Sequence, residues 1–70
     1  MRTYRYLITI AGGLGKVGRE AFGGFKIESG DHDTVLIAEL DQAGLYGALN
    51  RLQALGLELV ALSRLADGFR

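Results

Sequence analysis

Residues 41–64, DQAGLYGALNRLQALGLELVALSR, run from a helix through a glycine into a strand, and that join decides the fold. Leu45, Ala48, Leu49, Leu52 and Leu55 recur at three- and four-residue spacing, the apolar stripe of a helix lying on a core. Asp41 stands where a carboxylate can accept from the first unpaired helix amides. Gly56 follows the last periodic leucine, where a left-handed residue ends a helix at least cost. From Leu57 the period becomes two. Leu57, Leu59 and Ala61 are expected on one side, and Glu58, Val60, Leu62 and Arg64 on the other.

Upstream, TYRYLITIA at 3–11 alternates Tyr4, Tyr6, Ile8 and Ile10 with Thr3, Arg5, Leu7 and Thr9, the pattern of a first strand. GGLGKVGREAFGG follows, with six glycines in 13 residues. Each interior glycine costs a helix about 1 kcal/mol relative to alanine, so this segment supports a turn or two around Val17 to Phe22. Phe25 to Ser29 alternates as a short second strand. SGDHD is a loop of turn formers, and TVLIAEL at 34–40 is a third strand, apolar on both sides except at Glu39.

The order is strand, short helix, strand, strand, helix, strand. It predicts an α+β domain of the ferredoxin-like βαββαβ type over residues 1–65, with an abbreviated first helix, an antiparallel four-stranded sheet, both helices on one face and a fraying tail at 66–70. ACT-type regulatory domains share this order. In that arrangement strand four lies beside strand one, strand one beside strand three, and strand two at the far edge. The expected core is Tyr6, Ile8, Ile10, Phe25, Ile27, Val35, Ile37, Leu57 and Leu59. The open face is expected to carry Leu7, Leu36, Ala38, Val60 and Leu62, ringed by Arg5, Thr9, Glu28, Thr34, Glu58 and Arg64.

A chain of 70 residues buries a smaller share of its surface than a larger domain, and such chains add disulfides, metals or partners. No Cys and a single His exclude disulfides and a Cys/His zinc site, which leaves association. No apolar run approaches the roughly 20 residues of a membrane span, and the N-terminal stretch lacks the uncharged core of a signal peptide. The expectation is a soluble cytoplasmic protein without a membrane partner. Net charge is zero but divided: 1–26 holds Arg2, Arg5, Lys16, Arg19 and Lys26 against Glu20, while 27–41 is purely acidic. That division suits contact between strands or subunits and argues against a nucleic-acid partner.

The chemistry-bearing candidates are few. Gly13, Gly15 and Gly18 spell G-x-G-x-x-G after a strand, but Gly23 and Gly24 end the helix too soon for a dinucleotide fold, and no cofactor is expected. A phosphate-loop reading fails at Ile10 and Val17. What remains for Gly13, Gly15, Lys16, Gly18 and Arg19 is a flexible connection or an anion-binding loop. His32 between Asp31 and Asp33 reads as a turn residue and not a metal clip. Glu39 and Glu58 read as rim residues, Ser29 and Ser63 lack a histidine in support, and no catalytic set emerges. Gly44, Gly47, Ala43 and Arg51 form a small-residue helix face that suits tight packing, a subunit contact or a ligand groove.

The stretch Phe22-Gly23-Gly24, together with D-Q-A-x-L-x-G-x-L-x-R-x-x-x-L-G-L from Asp41 to Leu57, resembles an uncharacterised family of short bacterial proteins. Asp41, Gln42, Ala43, Leu45, Gly47, Leu49, Arg51, Leu55, Gly56 and Leu57 carry the match. The resemblance implies fold boundaries and no activity. The functional expectation is a non-enzymatic homo-oligomer, a dimer joined through Leu7, Leu36, Ala38, Val60 and Leu62. The alternative is an ACT-like domain holding a small metabolite or anion between subunits.

Overall fold

The computed structural model describes residues 2–65, so the expectation for the 66–70 tail lies outside the described residues. The elements are β1 (Tyr4–Ala11), α1 (Gly15–Ala21), β2 (Lys26–Ser29), β3 (Asp33–Leu40), α2 (Gln42–Ala54) and β4 (Leu59–Arg64). Together they make an α+β fold, with one antiparallel sheet ordered β2-β3-β1-β4. β1 and β3 are the central strands, and β2 and β4 are the edges.

Helix α2 is bounded by both of the devices its sequence carries. The Gly44 amide donates to Asp41 Oδ1 at 2.7 Å, closing the N-terminus. At the other end Gly56 adopts φ 71°, the left-handed conformation. There the Leu57 amide donates to the Leu52 carbonyl at 2.9 Å and the Gly56 amide to the Gln53 carbonyl at 3.1 Å. These two bonds are a Schellman ending, which satisfies carbonyls the helix leaves free. Leu45, Ala48 and Leu52 are the buried stripe and Leu49 is half-buried, while Leu55 at the C-cap is exposed.

The core cluster joins Tyr6, Ile8, Ile10 and Leu36 of the sheet to Leu45, Ala48 and Leu52 of α2, and to Leu14 and Phe22, which flank α1. Phe25, Ile27 and Leu57 pack against it, as the sequence predicts. Phe22, absent from the predicted core, is fully buried and meets Phe25 edge-on, with ring centroids 5.1 Å apart. It stands at the C-cap of the seven-residue α1 and belongs to the same core cluster as Leu45, Ala48 and Leu52 of α2. Gly18 supports this arrangement, since an added Cβ would lie 2.6 Å from Leu14 Cγ.

Two strand-face assignments differ from the sequence reading. On β3, Ile8 pairs with Leu36, Tyr6 with Ala38 and Ile10 with Thr34. Cross-strand partners share a face, so Leu36, Ala38 and Thr34 lie on the helix side while Val35 and Ile37 lie on the open side. The cause is the β2–β3 connection, which pairs Ser29 with Thr34 and Ile27 with Leu36. A one-residue change in register moves every side chain of a strand to the other face. Thr34 is buried, and its Oγ1 donates to the Gly12 carbonyl at 2.7 Å.

On β4, the register against β1 shifts between Thr9 and Ile10. Leu59 pairs with Ile10 and Ala61 with Thr9, leaving Val60 as an extra residue. Leu59 and Ala61 therefore face opposite sides, against the simple alternation. Leu62 pairs with Ile8 and Arg64 with Tyr6, so both belong to the helix side and not to the open face. Leu59, expected in the core, is 45% exposed and stands outside it.

Candidate functional site

The open face of the sheet is built from the odd-numbered residues of β1 and β3 and the even-numbered residues of β2. Its centre is the pair Leu7–Ile37, with Thr9–Val35 on one side and Arg5–Glu39 on the other. Lys26 and Glu28 of β2 join opposite Ile37 and Val35, and Ser63 and Ala61 of β4 join opposite Leu7 and Thr9. Leu7, Thr9, Val35 and Ile37 are half-buried, so the strip is shielded by its own sheet but uncovered above.

Of the five predicted interface residues, Leu7 alone keeps the role of a central open-face residue. Leu36 is fully buried under the helices, Ala38 and Leu62 share its side, and Val60 sits at the bulge. Val35 and Ile37 replace Leu36 and Ala38. Their signal in the sequence is the alternation of Lys26 and Glu28 on the neighbouring strand, read through the register of the β2–β3 connection.

The charges at the rim are balanced. Arg5 and Lys26 stand against Glu28 and Glu39, and all four are exposed. Lys26 Nζ lies 3.5 Å from Glu28 Oε2, an exposed pair that contributes little to stability. A groove of about 670 Å³ opens here, lined among others by Arg5, Leu7, Lys26, Ile37, Glu39 and Leu65. Leu65 closes one end because its amide donates to the Arg5 carbonyl at 2.8 Å. The groove thus has an apolar floor and, at its wall, the cations Arg5 and Lys26 and the carboxylate of Glu39, within the size range of small-ligand sites.

The glycine loop is organised as a structural connection. The Gly12 amide donates to the His32 carbonyl at 2.7 Å, while the Gly12 carbonyl accepts from Thr34. Gly13 lies in the connecting turn, and Gly15, at φ 74°, starts α1. Gly18 is consumed in packing against Leu14, as described above. Lys16 is exposed, and Arg19 is directed to β2, its Nη2 donating to Ser29 Oγ at 3.2 Å. The candidate anion residues are spread between a buried packing position, a strand contact and solvent.

On α2, Gly44 is held against Leu40 and the Asp41 carboxylate, where a Cβ would approach Oδ1 to 3.1 Å, whereas Gly47 faces open space. Arg51 reaches α1, its Nη1 donating to the Ala21 carbonyl at 2.9 Å. Among the described residues no group of three His, Cys, Asp or Glu side chains could hold a metal ion. Nor is any helix among them long and apolar enough to cross a membrane.

A family model described as "Domain of unknown function (DUF8691)" matches residues 5–63. A comparison with curated proteins finds no match, and neither does one with solved structures.

Proposed function

We propose, for a chain that belongs to that family of unknown function, a non-enzymatic homo-oligomerising module of ferredoxin-like βαββαβ architecture that associates through its open sheet face. The observation that carries this reading is the strip Leu7, Val35 and Ile37, apolar and uncovered, framed by two cations and two anions. A two-fold axis across such a strip turns it upon itself, and the balanced rim lets cations of one copy face anions of the other. We also read the F-G-G and D-Q-A-x-L patterns as signatures of short bacterial members of the family. The absence of Cys fits a cytoplasmic setting.

Four strands spaced about 4.8 Å apart and about six residues long give a planar face of roughly 400 Å². Two such faces bury about 800 Å² in total, below the roughly 1,200 Å² of standard specific interfaces, so association through this face alone is weak and depends on concentration. Light scattering across a dilution series tests the proposal: the molar mass exceeds that of one chain and falls on dilution. A single-chain mass at every concentration would refute it.

The groove beside Arg5 and Lys26 favours a second reading, an ACT-like domain that holds a small metabolite or anion between subunits. Its size suits a small molecule, with Arg5 and Lys26 as partners for a carboxylate and Glu39 as a partner for a cationic group. A thermal-shift screen of amino acids and nucleotides separates the readings, since a ligand of the native state raises the melting temperature.

A further inference from the structure

The four charged residues that frame the open face are not equally committed within their own chain. Lys26 and Glu28 stand two apart on β2, and their side chains meet at 3.5 Å. Arg5 and Glu39 are direct cross-strand partners, which places their Cβ atoms about 5 Å apart. Both are exposed, yet they form no ion pair among the described residues. Leu7 and Ile37 are the next pair along the same two strands, so Arg5 and Glu39 stand at one end of the apolar strip. At the other end β3 carries Asp33, opposite Ala11. The strip therefore has unlike ends, one with both signs of charge and one acidic.

We infer that, on the open-face reading given above, the second copy is turned about a two-fold axis running along the strands, midway between β1 and β3, so that Glu39 of each copy meets Arg5 of the other. Two axes in the plane between the sheets lay four strands over four. An axis along the strands sets β3 over β1 and β2 over β4 of the facing copy, because the sheet order is β2-β3-β1-β4. Glu39 then faces Arg5, Ile37 faces Leu7 and Asp33 faces the uncharged Ala11, each twice by symmetry. Lys26 and Glu28 face Ser63 and Ala61 and stay paired with each other. An axis across the strands sets each strand over itself with its ends exchanged, and Glu39 then faces Asp33 twice. Opposite charges attract and like charges repel, which selects the first orientation. Facing sheets lie about 10 Å apart, a gap that an arginine and a glutamate span by extending toward each other. Arg5 and Glu39 of the two copies make a ring of four alternating charges, each cation between two anions.

Sedimentation equilibrium of the full-length chain and of charge-reversed chains tests the orientation. Arg5→Glu or Glu39→Arg, each alone, is expected to lower the association constant about tenfold, because two attractions across the face become two repulsions. An equimolar mixture of the two variants is expected to regain that tenfold, since each carries like charges within itself and meets opposite ones only on its partner. The mixture of Lys26→Glu with Glu28→Lys is the control, with the same net charges on the same face. In this orientation those residues lie at opposite edges in the two copies, more than about 14 Å apart and beyond the screening length of about 8 Å at physiological salt. Mixing the control pair is therefore expected to gain less than about threefold. No gain on mixing at Arg5 and Glu39, or an equal gain in the control, overturns the orientation alone. A native chain that stays single at every concentration overturns the open-face reading as well. Where circular dichroism shows that a reversed chain does not fold, Arg5→Gln and Glu39→Gln take its place. Their mixture restores one of the two pairs and is expected to associate about threefold more tightly than either alone, and no gain there overturns the orientation equally.

Discussion

The guanidinium of Arg51 lies 5.8 Å from the centroid of the Phe22 ring. The same side chain donates to the Ala21 carbonyl, one residue earlier in the chain. The second helix therefore caps the first, with a cation placed where the carbonyl end of α1 gathers negative potential. The F-G-G stretch and the Arg51 turn of α2, separated by two strands in sequence, meet at this point.

Replacing Arg51 by alanine removes the carbonyl bond and the ring contact, at a cost of about 1–2 kcal/mol. Lysine restores the charge without the planar fork, so Arg51→Lys recovers only part of the loss. Phe22→Ala, which empties a fully buried site, costs about 3–5 kcal/mol. Urea melts of the three variants check this order, and an Arg51→Ala midpoint equal to the parent's would remove the capping role.

The helix glycines separate by environment. Gly47 faces open space, so Gly47→Ala gains helix propensity and stabilises by up to about 1 kcal/mol, or about 4–8 °C in Tm. At Gly44 the new methyl would crowd Asp41 Oδ1 at 3.1 Å, the oxygen that caps the helix. Gly44→Ala therefore yields less than Gly47→Ala, and calorimetry of the pair shows whether the cap resists. If both gain equally, the capping contact is not tight.

Gly56 behaves in the opposite sense because its φ of 71° disfavours a side chain. Gly56→Ala is expected to cost about 1 kcal/mol, and Gly56→Asn less, since asparagine tolerates the left-handed region. Thermal melts that rank alanine above asparagine would contradict the Schellman ending.

Much of this arrangement is legible in the sequence because local chemistry agrees with the tertiary fold. Asp41 and Gly56 mark both ends of α2, and Tyr6, Ile8 and Ile10 alternate cleanly with Arg5, Leu7 and Thr9. Thr34–Leu40 carries no such signal, since Val35, Leu36 and Ile37 are apolar in succession. Its face is set by the pairing of Ser29 with Thr34, a property of the β2–β3 connection. The bulge at Val60 is equally hidden, because LVAL offers no polar residue to mark a change of side. Phe22 reads locally as the end of a poor helix and becomes core only through Arg51 and Phe25, which approach it from elsewhere in the chain.

Thr34 ties this hidden register to the glycine loop. Thr34→Val keeps the shape but removes the hydrogen bond from a buried hydroxyl to the Gly12 carbonyl, at a cost of about 1 kcal/mol. Faster hydrogen exchange is expected at Gly12 and its neighbours than in α2. Uniform acceleration across the chain would instead mean that the loop has no local anchor at Thr34.

Leu36 and Ile37 are adjacent in sequence and opposite in consequence. Leu36 is fully buried beside Ile8, so Leu36→Asp places a carboxylate among core side chains. The burial penalty amounts to several kcal/mol, comparable to the roughly 4–10 kcal/mol that holds a domain of this size together. That variant is expected to unfold, with loss of its circular dichroism signal. Ile37 lies on the open side directly opposite Lys26, so the carboxylate of Ile37→Asp stays hydrated and has a cation nearby. The chain keeps its fold, while a second open face brought against it must bury the new charge. Ile37→Asp is therefore expected to lower the molar mass of the assembly without lowering its helix content. An unchanged mass would show that the strip between Leu7 and Val35 is not a subunit contact. A folded Leu36→Asp would overturn the assignment of the two faces of β3.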